Sequence, residues 1–471
     1  MQRNVLYITI DALRADRVSH LGYGRSTTPT LDDLAESGTT WTQAVASGVP
    51  TYFSFKSLLG GIHALSHGST IGLPNDGTSV SEAFQQRGYT TAGFNAGNPW
   101  LTPAYGYDRG FDTFQDFLTA GSDGRGLMER LHSVRALIER NQFVRDTAGL
   151  AARLLFATVG RQPLEPAEHL TDSVIEWLRS SSASSGPTFC WVHYMDPHYP
   201  WVPRDEELQH FRETTVPRRT IGRLWHKVSH LENEQERTTE ITQEERAMID
   251  DLYDAEVRRV DTAIGRLLEA VEETLTLEET LVVVVADHGT ELLDHGGFSH
   301  APRSLYDEVV HVPLILHGPD VPTGVRTETA SLVDLPPTVL RRSCNSSEPT
   351  FEGGSLFRRT DEPTITEVVY DYDPSNDSTG RSGGNGSPLT ACIDWPWKLV
   401  ENQSQNSREL YHLKQDPGER TDRSADHDSV VSGLSAAISD HRKWLERRNR
   451  TVAEKRRVRE RITSLKERGA V

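Results

Sequence analysis

Three short runs in this chain are dense in β-branched and aromatic residues, and each stops at an ionisable group. Leu281–Ala286 leads into Asp287-His288-Gly289, Asn4–Ile10 leads into Asp11, and Thr188–Tyr194 leads into Met195-Asp196-Pro197-His198. Runs of that length and density predict strands buried on both faces, hence a parallel sheet. Shorter strands are predicted at Tyr89–Phe94, 312–318 and Thr366–Tyr372. Helices are predicted up to Gly38, from about Ser54, over Ser81–Gly88 and Leu170–Arg179, and over Glu244–Glu273. In the last, Ile249, Leu252, Tyr253, Val257, Val260, Ile264 and Leu267 recur at helical spacing on one face. Residues 117–165 have a helical pattern suited to a cover. Residues 203–243 are charged and read as an irregular excursion, and 373–388, rich in Gly, Ser and Asn, as a mobile loop. Trp397–Val400 and Glu409–Leu413 suggest a small antiparallel unit, and 428–468 an Arg-rich helix. The predicted division is 1–380, 381–425 and 426–471: a large α/β domain, a small antiparallel subdomain and a helical tail.

Composition narrows the class. The 471 residues carry a formal net charge of −18, with only seven lysines. An acidic, Lys-poor surface suits a high-salt cytoplasm, so a halophilic source is expected, and nucleic acid is a disfavoured partner. Cys190, Cys344 and Cys392 have neither zinc-site nor CxxC spacing. No apolar run has membrane-spanning length and no leader pattern precedes the first strand. The expectation is a soluble cytoplasmic protein.

Ligands of open parallel sheets gather beyond the carboxyl ends of strands. Asp11, Asp287 and His288 stand there, a donor set suited to one divalent metal. Asp294, His295 and His300 follow closely. Thr51 comes just after Gly48 and Pro50, ahead of a helix, where backbone N–H groups favour a developing anion. That suits a nucleophile. His198 lies between prolines, stiffly held as a positioned acid or donor. Each residue also has a plainer reading: Asp11 or Thr51 as a helix N-cap, His198 as a surface histidine.

In order along the chain, Asn4–Asp16, Thr28-Pro-Thr-Leu-Asp, Ser57-Leu-Leu, His193-Tyr-Met-Asp-Pro-His198, Tyr253–Asp261, Ala286-Asp-His-Gly289, Leu305-Tyr-Asp-Glu, Lys398-Leu-Val, Glu409-Leu-Tyr and Asp416-Pro-Gly-Glu419 resemble the sulfatase family of the alkaline-phosphatase superfamily. The resemblance implies a large mixed, mostly parallel α/β sheet flanked by helices. It implies one divalent ion (Mn²⁺, Zn²⁺, Mg²⁺ or Ca²⁺) held by Asp11, Thr51, Asp287 and His288, the nitrogen ligand tilting the choice away from Ca²⁺. It further implies substrate contacts from His198 and His300, and it aligns Ser54 with the family's serine. The resemblance bears less directly on His295.

Two departures stand out. Ala12 replaces a second aspartate that many members carry. The family's Cys/Ser-x-Pro-x-Arg segment is missing: Thr51 takes the nucleophile's place and Phe55 the arginine's, so no formylglycine is expected. A hydrated formylglycine ejects sulfate by collapsing to the aldehyde, which a threonine ester cannot do. A threonine phosphoester can be cleaved by in-line attack. The implied function is therefore a metal-dependent hydrolase of sulfate or phosphate esters with a Thr51 nucleophile. Its substrate would be small, anionic, and carbohydrate- or lipid-like. The alternatives are a phosphodiesterase or phosphotransferase of the same superfamily, or a catalytically silent binding protein.

Overall fold

The computed structural model describes residues 2–68, 70–118, 165–180, 186–229, 231, 240–358, 362–372 and 386–467. The predicted cover at 117–165 and most of the predicted loop at 373–388 lie outside them.

Among the described residues, nine strands form the main sheet. They are β1 (Asn4–Ile10), β2 (Thr39–Val45), β3 (Thr90–Asn95), β4 (Thr113–Gln115), β5 (Thr188–Tyr194), β6 (Thr280–Ala286), β9 (His311–His317), β10 (Gly324–Arg326) and β11 (Ala330–Ser331); β7 (Glu291–Leu292) and β8 (Phe298–Ser299) form a separate hairpin. The order is β10-β2-β9-β6-β1-β5-β3-β4, with β11 also on β2. The run from β6 to β4 is parallel, and β9 is antiparallel to both its neighbours. Every residue of β5 and β6 is buried, as strands covered on both faces require.

A second, antiparallel sheet contains β12 (Thr364–Val369), β13 (Pro388–Asp394), β14 (Trp397–Asn402) and β15 (Ser407–His412). The helix Asp428–Glu467 lies on it, burying Leu434 and Ile438 against Cys392, Leu399 and Leu410. No helix among the described residues is long and apolar enough to cross a membrane.

The excursion at 203–243 needs correcting. It holds the helices Asp205–Leu208 and Arg218–Ser229. Ile221, Leu224, Trp225 and Val228 are buried on one side of the second, a helical stripe hidden among charges.

The long helix Gln243–Thr274 opens with a capping box between Thr242 and Glu245. It also steadies the exit from β5. Arg259 donates to both oxygens of Glu168 (2.9 and 2.8 Å), to Asp196 Oδ1 and to Glu256 Oε2 (both 3.3 Å). Asp196 Oδ2 accepts from Ala167 N, and Glu256 Oε1 from Val202 N. Asp196 is thus tied into the frame two residues before His198.

Burial, opposed by Arg259 and reinforced by Asp196, pushes the Glu256 carboxyl up to about 8. An unfolded glutamate titrates near ~4.3. Between those values the folded chain keeps a proton that the unfolded chain releases, so this group's contribution to stability falls as pH rises. Glu256→Gln keeps an acceptor for Val202 and does not titrate, though it gives up the oxygen that accepts from Arg259, an offset that does not change with pH. Its urea midpoint relative to the wild-type value should be higher at pH 8 than at pH 5. An equal gap at both pH values would exclude the proton as its source.

Candidate active site

The strand register brings the site together. In β1, Ile10 sits opposite Ala286 of β6 and Tyr194 of β5. The ladder runs one step further, Asp11 N donating to Tyr194 O and Asp287 N to Ile10 O. Asp11 and Asp287 therefore leave the sheet side by side, and neither is exposed. After Asp11 the chain turns at Ala12, which holds φ 58°. Tyr253 of the long helix locks that turn: its hydroxyl donates to Ala12 O at 2.7 Å and accepts from Arg14 N at 3.0 Å. Ala12 N donates in turn to Asp287 Oδ1 at 3.2 Å. Gly289 is required by space, since a Cβ there would come within 2.2 Å of Glu308 O.

Thr51 is the first residue of the helix Thr51–Leu58. Its hydroxyl lies 3.2 Å from His288 Nε2 and 3.4 Å from Asp11 Oδ2. His288 Nδ1 donates to Gly289 O at 2.8 Å. That bond fixes the tautomer and leaves Nε2 a bare nitrogen facing Asp11, Asp287 and Thr51.

Two residues given no role by the sequence complete the surroundings of Asp11. Asn98 Nδ2 donates to Asp11 Oδ2 at 3.0 Å, and His193 Nε2 lies 3.4 Å from the same oxygen. The signal for His193 was an imidazole inside an otherwise apolar buried strand, which must find a partner. Asn98 sits in an irregular segment and had no comparable signal; Asn95 Oδ1 holds it by accepting from its backbone N–H.

Other residues point elsewhere. Ser54 is turned into the helix, its buried hydroxyl donating to Thr51 O at 3.4 Å. Phe55 packs edge-on against His193 and Trp191, so an aromatic ring backs the site at that position. Asp294 accepts from Arg14 and Leu292 N. His295 is held between Glu308 and Glu419 O and stacks on Tyr306. The His300 ring lies 4.5 Å from that of His288 and 4.9 Å from that of His198. His198 and His300 line a cleft of about 480 Å³ with Thr51, Tyr52, Asn98 and Trp100.

The electrostatics are those of an incomplete charge set. Burial alone would raise the Asp11 carboxyl; His198, His193 and His288 outweigh it and hold the group below the usual range. Burial and the neighbouring Asp11 drive Asp287 well above that range. Burial pushes the His288 imidazole below its ordinary value against the pull of Asp11, and burial, His288 and His198 push His300 well below it. Asp11 Oδ1 and Asp287 Oδ2 are buried without a hydrogen-bond partner. One ligating atom from each of Asp11, Asp287 and His288 falls within a 4.8 Å cluster. Two orphaned carboxylate oxygens and a bare imidazole nitrogen fit a divalent cation.

A mostly parallel sheet with its site at the strand ends, followed by a small antiparallel sheet, is the alkaline-phosphatase-like class of α/β fold. The Sulfatase family model matches residues 3–343, and the chain belongs to that family. Among curated relatives, mouse arylsulfatase K is 24 % identical over 206 residues, which are 43 % of this chain and 37 % of that protein. The choline-sulfatase of Rhizobium meliloti (strain 1021) is 27 % identical over 173 residues, covering 36 % and 32 %. The matches thus span well under two thirds of these relatives. Among solved structures, the phosphonate monoester hydrolase of Agrobacterium radiobacter has a TM-score of 0.67 at 19 % identity, covering 94 % of this chain and 96 % of its own. The structure of BT4656 in complex with its substrate D-glucosamine-2-N,6-O-disulfate has a TM-score of 0.67 at 17 % identity, covering 95 % and 98 %. At such identities the likeness is one of fold.

Asn98 orients a carboxylate of the Asp11–Asp287–His288 cluster. Asn98→Ala should weaken divalent-cation binding about 10–100-fold, as loss of a ligand's supporting hydrogen bond does, with the fold retained. Titration calorimetry on the metal-stripped chain measures it; unchanged affinity would remove Asn98 from the cluster's support.

Proposed function

We propose that this protein is a metal-dependent hydrolase of small anionic sulfate or phosphate esters, with Thr51 as its nucleophile. One observation carries the reading: the Thr51 hydroxyl lies within 3.4 Å of both Asp11 and His288, in the cluster that also contains Asp287. Asp11, Thr51, Asp287 and His288 would hold the ion. Such an ion lowers the pKa of a coordinated hydroxyl and offsets charge on the transferring group.

The remaining work falls to the chain. Thr51, at a helix N-terminus, attacks where the helix dipole favours negative charge. Asn98 and His193 keep Asp11 ionised and oriented. His198 and His300 are too close for both to be protonated with ease. His198 or His300, both lining the cleft, gives the proton to the leaving oxygen, and the other serves as a hydrogen-bonding group. Tyr52 and Trp100 offer aromatic walls to the organic part of the substrate.

The threonine itself favours a second emphasis within this reading. Oxidising its Cβ yields a ketone, so the side chain cannot become the formylglycine aldehyde, and the covalent ester must be cleared by attack at sulfur or phosphorus. Phosphorus accepts in-line attack more readily, which favours phosphomonoesters, phosphodiesters or phosphonate esters over sulfates.

A panel of aryl sulfate, aryl phosphate, phosphodiester and phosphonate monoester substrates, each with Mn²⁺, Zn²⁺, Mg²⁺ and Ca²⁺, tests the proposal; glucosamine sulfates belong in it, given the bound sugar of BT4656. Turnover is expected with at least one pairing. Thr51→Ala should lower kcat by at least about 10³-fold while metal still binds; Asp287→Asn should lose both. Wild-type turnover in Thr51→Ala would remove Thr51 as nucleophile. Metal binding without turnover across the panel would point to a silent binding protein.

A further inference from the structure

We propose that His63, Glu367 and His441 form a second divalent-cation site, of the zinc type, that fastens the C-terminal helix to the loop behind the Thr51 helix. The three residues come from separate elements. His63 lies in the loop after Thr51–Leu58, Glu367 in β12 and His441 on Asp428–Glu467. One ligating atom from each falls within a 4.8 Å cluster. Two imidazoles and a carboxylate form a donor set that zinc and its neighbours accept, with a position left for water.

The cluster is sheltered yet reachable. The Glu367 side chain is 1 % exposed and that of His441 10 %. Trp444 walls one side, its ring 5.3 Å from that of His63. The two imidazole rings are 4.8 Å apart.

A plain hydrogen-bonded pair explains only part of this. His441 Nε2 and Glu367 Oε2 are 3.1 Å apart, and Glu367 Oε1 accepts from Leu65 N. That accounts for two of the three groups. His63 Nδ1 is buried with no hydrogen-bond partner, in the same cluster as a buried carboxylate. A buried bare nitrogen is costly unless something binds it.

The surrounding loop is already rigid. Glu352 accepts from His63 N and Ser66 Oγ and is paired with Arg448 of the C-terminal helix. Lys56, inside the Thr51 helix, donates to Ala64 O and Ser66 O, at 2.6 Å each. The His63 backbone is thus held in place before any ion arrives, which favours binding. An ion here would link the C-terminal helix to the element carrying Thr51 through one short loop.

This site is independent of the proposed catalysis, and the test keeps the two apart. The full-length chain is stripped with chelator, loaded with zinc chloride alone, and its bound zinc is counted by mass spectrometry after desalting. Asp287→Asn, which disables the first cluster, should still hold one zinc per chain. Adding His63→Ala or His441→Gln to it should abolish that zinc. Cobalt(II) in the Asp287→Asn chain should show visible bands of a nitrogen–oxygen site that vanish in the same double variants. Circular dichroism and thermal melts verify folding. Should His441→Gln fail to fold, His63→Ala decides, because its Nδ1 makes no bond in the protein alone. No zinc on Asp287→Asn, or zinc undiminished in the double variants, overturns the proposal.

Discussion

Asp11 and Asp287 face each other in a place where water cannot reach either. Two ionised carboxylates so placed repel strongly, and burial penalises both charges. The protein settles the conflict asymmetrically. Asp11 receives Asn98 and lies among three histidines, while Asp287 is braced by the backbone of Ala12 and His288. Each keeps one buried oxygen unpartnered. A divalent cation resolves such an arrangement, because it lets both carboxylates ionise and uses the free oxygens. The tight turn at Ala12, the Tyr253 lock and the bare nitrogen of His288 all serve to keep these groups converged.

The same arrangement explains why a member of the sulfatase family can lack the formylglycine segment and still present a chemically coherent site. The hydroxyl of Thr51 occupies the mouth of the cluster, at the start of a wholly buried helix. Phe55, where the resemblance puts an arginine, packs behind His193 instead of offering a charge. In the proposed reading, the anion-holding role rests on the cluster, the helix N-terminus and the cleft histidines.

Much of this was legible before any coordinates. Each long apolar run was a strand, and each ended at or just before its ionisable residue. This worked because strands buried on both faces leave little ambiguity in pattern, and because parallel strands expose their useful ends together. The helix Arg218–Ser229 was missed because its apolar stripe is diluted by Arg and His. A strand was read at Thr366–Tyr372 and stands at Thr364–Val369, but pattern alone did not show that it belongs to the second sheet rather than the first.

By itself, the sequence determined that the three long apolar runs would be strands, that those ending at residues 10 and 286 would lead into adjacent ionisable groups, and which family the chain joins. Only the tertiary structure decided which side chains share a charge. It brought Asn98 and His193 to Asp11, turned Ser54 inward, spent Asp294 and His295 on ion pairs, and gathered His63, Glu367 and His441 from three distant segments. The reason is physical. Strand and helix formation follow from local pattern, whereas a carboxylate's partners depend on strand register and loop closure, which set contacts across hundreds of residues.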